Sequence, residues 1–241
     1  CVSHDRGQTW EHLNIMPIGQ FYHVAVDTRR PYRVYGGLQD NGSWGGPSAT
    51  RGRNGPTNED WITVGGGDGF VCQVDPNDPD QVYFTSQYGN MGRINVRTSE
   101  RHSIRPTAEQ GKRFRFNWKT PFILCSHNSK IFYAAGNYVF KSLDRGDKLR
   151  LISPEITATN KGTASALAES PLNPDVVYVG TDDGAVWITR DGGHEWMNIT
   201  ENIKDVPATG CIASIEPSRF KDSRAYLTID AHRTDSTAPY V

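Results

Sequence analysis

Long apolar runs are missing from this chain of 241 residues. No stretch approaches the roughly 20 apolar residues that cross a bilayer as a helix, so no membrane span is expected. An excess of one charge is missing too. Lys and Arg number 26 against 27 Asp and Glu, a formal charge of −1, which argues against nucleic acid or an anionic membrane as a partner held by bulk charge. Cysteine is scarce. Cys1, Cys72, Cys125 and Cys211 are too few for a disulfide scaffold and lack metal-ligand spacing. The last three lie in or beside apolar runs and read as small buried hydrophobes. The histidines form no His-x-x-x-His pair, and no metal or other cofactor is expected. A charged segment followed by an apolar one, the mark of a signal peptide, does not open the chain. A long helical pattern is also absent.

What is present is glycine (24), proline (14) and aromatics (6 Trp, 10 Tyr, 9 Phe). Glycine and proline interrupt helices, and short aromatic runs between them suit strands. The chain also repeats itself. Phe21–Asp27 with Arg33–Asp40, Phe70–Pro76 with Asp80–Gln87, Phe122–Cys125 with Lys130–Asn137, Ser165–Pro171 with Asp175–Asp182, and Cys211–Pro217 with Ser223–Asp230 are variants of one unit. Their tyrosines, Tyr35, Tyr83, Tyr133, Tyr178 and Tyr226, are 48, 50, 45 and 48 residues apart. A period near 48 with several short strands per repeat predicts an all-β fold, a β-propeller of four-stranded antiparallel blades. The expected division is 1–18 as the end of a preceding blade, blades over 19–66, 67–118, 119–160 and 161–208, and the start of another over 209–241. Both ends read as cut through structure, so a fragment of a seven- or eight-bladed ring is expected; a closed five-bladed ring is the alternative.

Three segments carry a local turn pattern. Ser3-His4-Asp5-Arg6-Gly7-Gln8-Thr9-Trp10 is complete, and Thr189 through Asp191, Gly193 and Trp196 has Glu195 in place of the threonine. Ser142, Asp144 and Gly146 begin a degraded copy that ends in Leu149. The Asp carboxylate can accept backbone N–H groups, the glycine supplies positive φ, and the tryptophan packs on the sheet. The device is structural. Other repeats carry longer insertions in its place, 45–60 and 97–117. These segments resemble the Asp-box, or bacterial neuraminidase repeat, of a β-propeller group that includes sialidases, xyloglucanase-type glycoside hydrolases and the sortilin ectodomain. Gly36–Pro47, Val64–Phe70 and Ile229–Arg233 resemble large secreted bacterial proteins of the sortilin-like or glycosyl-hydrolase repeat type. The resemblance implies a secreted or periplasmic location. Arg93-Ile94 and Ile104-Arg105-Pro106 do not reproduce the sialidase Arg-Ile-Pro segment in its place.

Antiparallel strands send alternate turns to opposite edges, and one edge collects the polar residues. These are Gln39, Asp40, Asn41, Asp68, Gln87, Tyr88, Asn137, Asp182, Asp183, Asp230, His232 and Arg233, with Trp44 as a surface for a sugar ring. Loops at a propeller's mouth commonly bind. The first expectation is an extracellular binding or scaffold module for a polysaccharide, oligosaccharide or protein. The alternative is a glycoside hydrolase of the xyloglucanase-like sort. A glycosidase needs two carboxylates; the resemblance implies Asp40 as base, and Asp68, on the same edge, is the expected partner. Asp and Gly in such loops are also ordinary turn formers. His232-Arg233, near Asp230 and Asp235, reads as hydrogen-bonded loop structure, with a metal site or an anion clamp as the alternatives. The basic run Lys112–Arg115, with Arg101 and Arg105, reads as a solvated loop or a contact for an acidic partner.

Overall fold

The computed structural model describes residues 2–11, 19–107, 111–207 and 209–241. Cys1 and residues 12–18, part of the expected end of a preceding blade over 1–18, lie outside them. Among the described residues there are strands and four single turns of 3-10 helix, and no α-helix.

Among the described residues eighteen strands follow one another in chain order. The first sheet holds β1 (Phe21–Val26), β2 (Arg33–Leu38), β3 (Gly42–Pro47) and β4 (Ile62–Gly65). The second holds β5 (Cys72–Asp75), β6 (Asp78–Ser86), β7 (Asn90–Asn95) and β8 (Arg101–Ser103). The third holds β9 (Phe122–Leu124), β10 (Phe132–Ala135), β11 (Val139–Ser142) and β12 (Arg150–Leu151). The fourth holds β13 (Ala164–Glu169), β14 (Val177–Thr181), β15 (Val186–Thr189) and β16 (Met197–Asn198). β17 (Cys211–Pro217) and β18 (Ala225–Asp230) form a two-stranded sheet. Every pairing between these strands is antiparallel.

The first strands of successive sheets touch: β1 meets β5, β5 meets β9, β9 meets β13, and β13 meets β17. They are therefore the inner strands of a radial series. The core lies between sheets. Tyr35, Val64, Cys72, Val82 and Ile94 join the first to the second. Tyr83, Phe122, Phe132 and Phe140 join the second to the third, with Phe132 stacked on Tyr83 at 5.7 Å and on Phe122 at 5.3 Å. Ala135, Val139, Ala164 and Val179 continue it to the fourth, and Val186, Ile188, Ile212 and Ile215 to the last pair. The repeated tyrosines of the first three sheets are almost wholly enclosed, which explains their recurrence. Tyr226 departs from that pattern and is 52% exposed.

One sequence expectation is corrected. Of the segment 97–117, only residues 97–100 stand in the third-to-fourth-strand turn. Residues 101–103 are the fourth strand, β8, and the turn before it is short. The insertion follows β8, and so runs along the edge where second-to-third-strand loops and sheet-to-sheet links gather. The sequence does not mark this strand, because Arg101, His102 and Ser103 are all exposed and offer no apolar alternation. Nor is the basic run a free solvated patch. Arg115 pairs with Glu155 at 2.7 Å, and Arg105 donates to Asn90 Oδ1 at 2.9 Å. Arg101 donates to the carbonyls of Val64 and Thr63.

Candidate functional site

The link from β8 to β9 crosses the polar edge as a strap over 111–120. Two glycines make room for it. A Cβ on Gly89, whose φ is +75°, would lie 2.5 Å from Phe116 Cγ. A Cβ on Gly136 would fall on the Arg115 carbonyl oxygen and 2.8 Å from Phe116 Cδ1. Buried Asn137 fixes the strap from beneath. Its Oδ1 accepts the Arg115 N–H at 2.7 Å, its Nδ2 donates to the Arg113 carbonyl at 3.1 Å, and its own N–H donates to the Arg115 carbonyl at 2.9 Å. Glu155 accepts from Arg115, which holds its carboxyl below the usual range.

The strap delivers Asn117, Trp118 and Lys119 between two groups of the expected residues. The first group surrounds Asp68, which is buried. Its Oδ1 accepts the Asp40 N–H at 2.5 Å and its Oδ2 accepts Gln87 Nε2 at 3.0 Å. Asp68 thus closes the Asp40 turn, whose left-handed φ is +61°. Gln39, Asp40 and Asn41 are exposed. Trp44 donates Nε1 to the Asn41 carbonyl at 2.6 Å and braces that turn. Exposed Tyr88, with φ +55°, meets exposed Trp118 edge to face at 5.0 Å. Trp118 also lies 6.0 Å from Phe70, Phe70 lies 4.8 Å from Tyr22, and Lys119 Nζ stands 5.9 Å from the Tyr22 ring. Burial, with the Lys119 charge nearby, holds the neighbouring His23 below its ordinary pKa.

The second group lines a cleft of about 290 Å³ between the strap, β13 and β17. Asp182, Asp230, His232 and Arg233 meet there, as do Asn117, Lys119, Ser165 and Cys211. Asp182 accepts from the Thr163 N–H at 2.8 Å, the Thr163 hydroxyl at 2.6 Å and Asn117 Nδ2 at 2.9 Å. Asp230 accepts the His232 N–H at 3.0 Å and faces His232 Nδ1 at 2.5 Å, and that histidine keeps its carboxyl below the usual range. Burial raises the pKa of the Cys211 thiol. Asp183 is not brought into the cleft group. Its Oδ2 accepts from the Thr159 N–H and hydroxyl at 2.7 and 2.9 Å, and its Oδ1 from Thr181 at 2.6 Å. Asn117, Trp118 and Lys119 are absent from the sequence candidates; their only signal is an aromatic and a cation closing an insertion.

The turn segments lie at the other edge. Asp5 accepts from Ser3, from the Thr9 N–H at 2.8 Å and from the Thr9 hydroxyl, and its pKa falls to about 2. Asp191 accepts from Thr189 and from the His194 and Glu195 N–H groups. Gly7, Gly146 and Gly193 all have positive φ. Trp196 donates to the Ile152 carbonyl at 2.7 Å. Trp10, expected to pack on a sheet, is 67% exposed. In the degraded copy Ser142 takes over, accepting the Asp144 N–H at 3.0 Å and donating to the Asp147 carbonyl.

Among solved structures the chain is similar to the GH74 xyloglucanase of Xanthomonas campestris, with TM-score 0.54 and 14% identity over 82% of this chain and 33% of that one. The GH74 enzyme of Niastella koreensis gives TM-score 0.60 and 14% identity over 88% and 33%. An extracellular domain from B. thetaiotaomicron gives 0.55 and 12% over 85% and 26%. The fold is a β-propeller. The chain spans about a third or less of the length of these relatives. No family model matches it, and no curated protein does. In the propeller the strap, the Asp68 turn and the Asp182–Asp230 cleft share the edge where the inner strands' links emerge.

Proposed function

We propose that this propeller is an extracellular or periplasmic carbohydrate-binding module whose blades run 19–66, 67–118, 119–160 and 161–208, with further blades begun over 1–18 and 209–241. The turns at Ser3–Trp10, Ser142–Leu149 and Thr189–Trp196 are its Asp-boxes, and they hold blades together rather than ligands. The observation that carries the reading is the Tyr88–Trp118 pair: two exposed rings, edge to face, beside Gln87, Asn117 and Lys119. Flat aromatic surface rimmed by a few fixed polar groups is how small-molecule sites orient a ring. Gln39, Asp40 and Asn41 extend the polar rim.

Hydrolysis is the second reading. The fold likeness to xyloglucanases favours it, as does an exposed Asp40 carboxyl at a strand end. Asp68 weighs against it as the partner, because both of its oxygens already accept hydrogen bonds. The test is affinity electrophoresis against neutral plant glucans and host glycans, with reducing ends assayed in parallel. Binding without turnover, weakened about tenfold or more by Trp118→Ala, is the expected result. Turnover abolished by Asp40→Asn would establish the hydrolase instead. Binding to a protein but to no glycan would overturn both.

A further inference from the structure

The charge arrangement of the cleft beside Trp118 narrows the kind of sugar. Both of its carboxylates are already engaged: Asp182 by Thr163 and Asn117, Asp230 by His232. Its cations are not engaged in the same way. Among the described residues, neither Arg233 nor Lys119 has a carboxylate within ion-pair distance. Arg233 is exposed at the cleft wall, and the contact of Lys119 is the Tyr22 ring. Asp182 and Asp230 match the two cations in number, but their hydrogen bonds go to other partners, so a ligand that takes water from Lys119 and Arg233 without offering them an acceptor is costly. An anion would satisfy both, and a planar carboxylate suits the guanidinium fork. The cleft volume of about 290 Å³ is at the lower end of small-ligand sites. Lys119 joins this cleft to the exposed aromatic pair, being next in sequence to Trp118.

We infer that the mouth takes an acidic saccharide of the uronate class, with a sugar ring against Trp118 and Tyr88 and the carboxylate held by Lys119 and Arg233. This rests on the carbohydrate reading above and adds the sign of the ligand's charge to it.

The experiment is calorimetric titration of the 241-residue protein with galacturonate, glucuronate and mannuronate trisaccharides, each beside its neutral methyl ester. At least one acid is expected to bind about tenfold or more tightly than its ester, and to weaken as salt rises while the ester does not. Lys119→Gln and Arg233→Gln should each remove most of that preference, bringing the acid-to-ester affinity ratio close to one. Trp118→Ala should weaken acid and ester alike. Thermal melts of the three variants check that the fold is kept. Equal binding of acid and ester, with neutral glucans also bound, overturns the uronate assignment and leaves the carbohydrate mouth standing. Tighter binding of a sulfated trisaccharide than of any uronate also overturns it. Binding of no saccharide overturns both readings.

Discussion

At the scale of the residue, the molecule spends its aspartates on turns. Asp5, Asp68, Asp182, Asp183 and Asp191 each accept two or more hydrogen bonds from nearby main-chain or side-chain donors. At Asp5 and Asp191 those donors favour the ionised form and lower the pKa. Asp5 is the clearest case, held at about 2 against an ordinary 3.8, first by the Thr9 hydroxyl. Its native value is depressed, so its contribution to stability is present above 3.8 and lost as pH falls through about 2. Carboxyl NMR should therefore find Asp5 titrating near 2, and Thr9→Val should move it toward 3.8. A wild-type midpoint at 3.8 would contradict this account. Cysteine behaves oppositely. Burial pushes the Cys72 thiol up to about 12 and Cys125 up to about 11. Both fit the sequence reading of small buried hydrophobes.

At the scale of the element, the strap over 111–120 is the feature on which the site depends. Phe116 enters between Gly89 and Gly136, Phe114 packs edge to face on Phe140 at 4.8 Å, and Asn137 holds the main chain. Gly136→Ala places a methyl group on the Arg115 carbonyl and the Phe116 ring. It should lower stability by about 1–3 kcal/mol in urea unfolding. It should also weaken glycan binding, although Gly136 lies beneath the strap and not in the cleft. Unchanged binding would mean that the strap does not position Trp118 and Lys119. This element was poorly legible in the sequence. The strands around it announced themselves through aromatics at a 48-residue spacing, but β8 has no buried face and left no pattern. Without that pattern the sequence places the insertion at the opposite edge, away from Asn117, Trp118 and Lys119.

At the scale of the whole molecule, each sheet packs on its neighbours and the core is a series of interlayers. Polar ties reinforce them. Arg93 on β7 donates to the Arg145 carbonyl at 2.7 Å and pairs with Asp147 at 3.1 Å, joining the second sheet to the third. Arg29 similarly reaches Asp80, joining the first to the second. Stability of this kind is close to a sum of nearest-neighbour terms. Phe132, fully enclosed between the second and third sheets, should cost about 3–5 kcal/mol when replaced by alanine. Hydrogen exchange in Phe132→Ala should quicken most in β6, β9 and β10, and least in β17 and β18. A uniform rise across all sheets would show a single cooperative core instead.

The sequence by itself determined the fold class, the repeat and the turn devices. Strand alternation, enclosed tyrosines and Asp-centred turns are local properties, written within a few residues of one another. Tertiary structure decided which residues of the polar edge meet. It set Trp118 against Tyr88 and Phe70, and brought Lys119 beside Asp182 and Arg233. It also fixed which carboxylates are spent on hydrogen bonds and which cations remain open to a ligand. Those are facts of distance and donor supply across sheets, and no spacing along the chain encodes them.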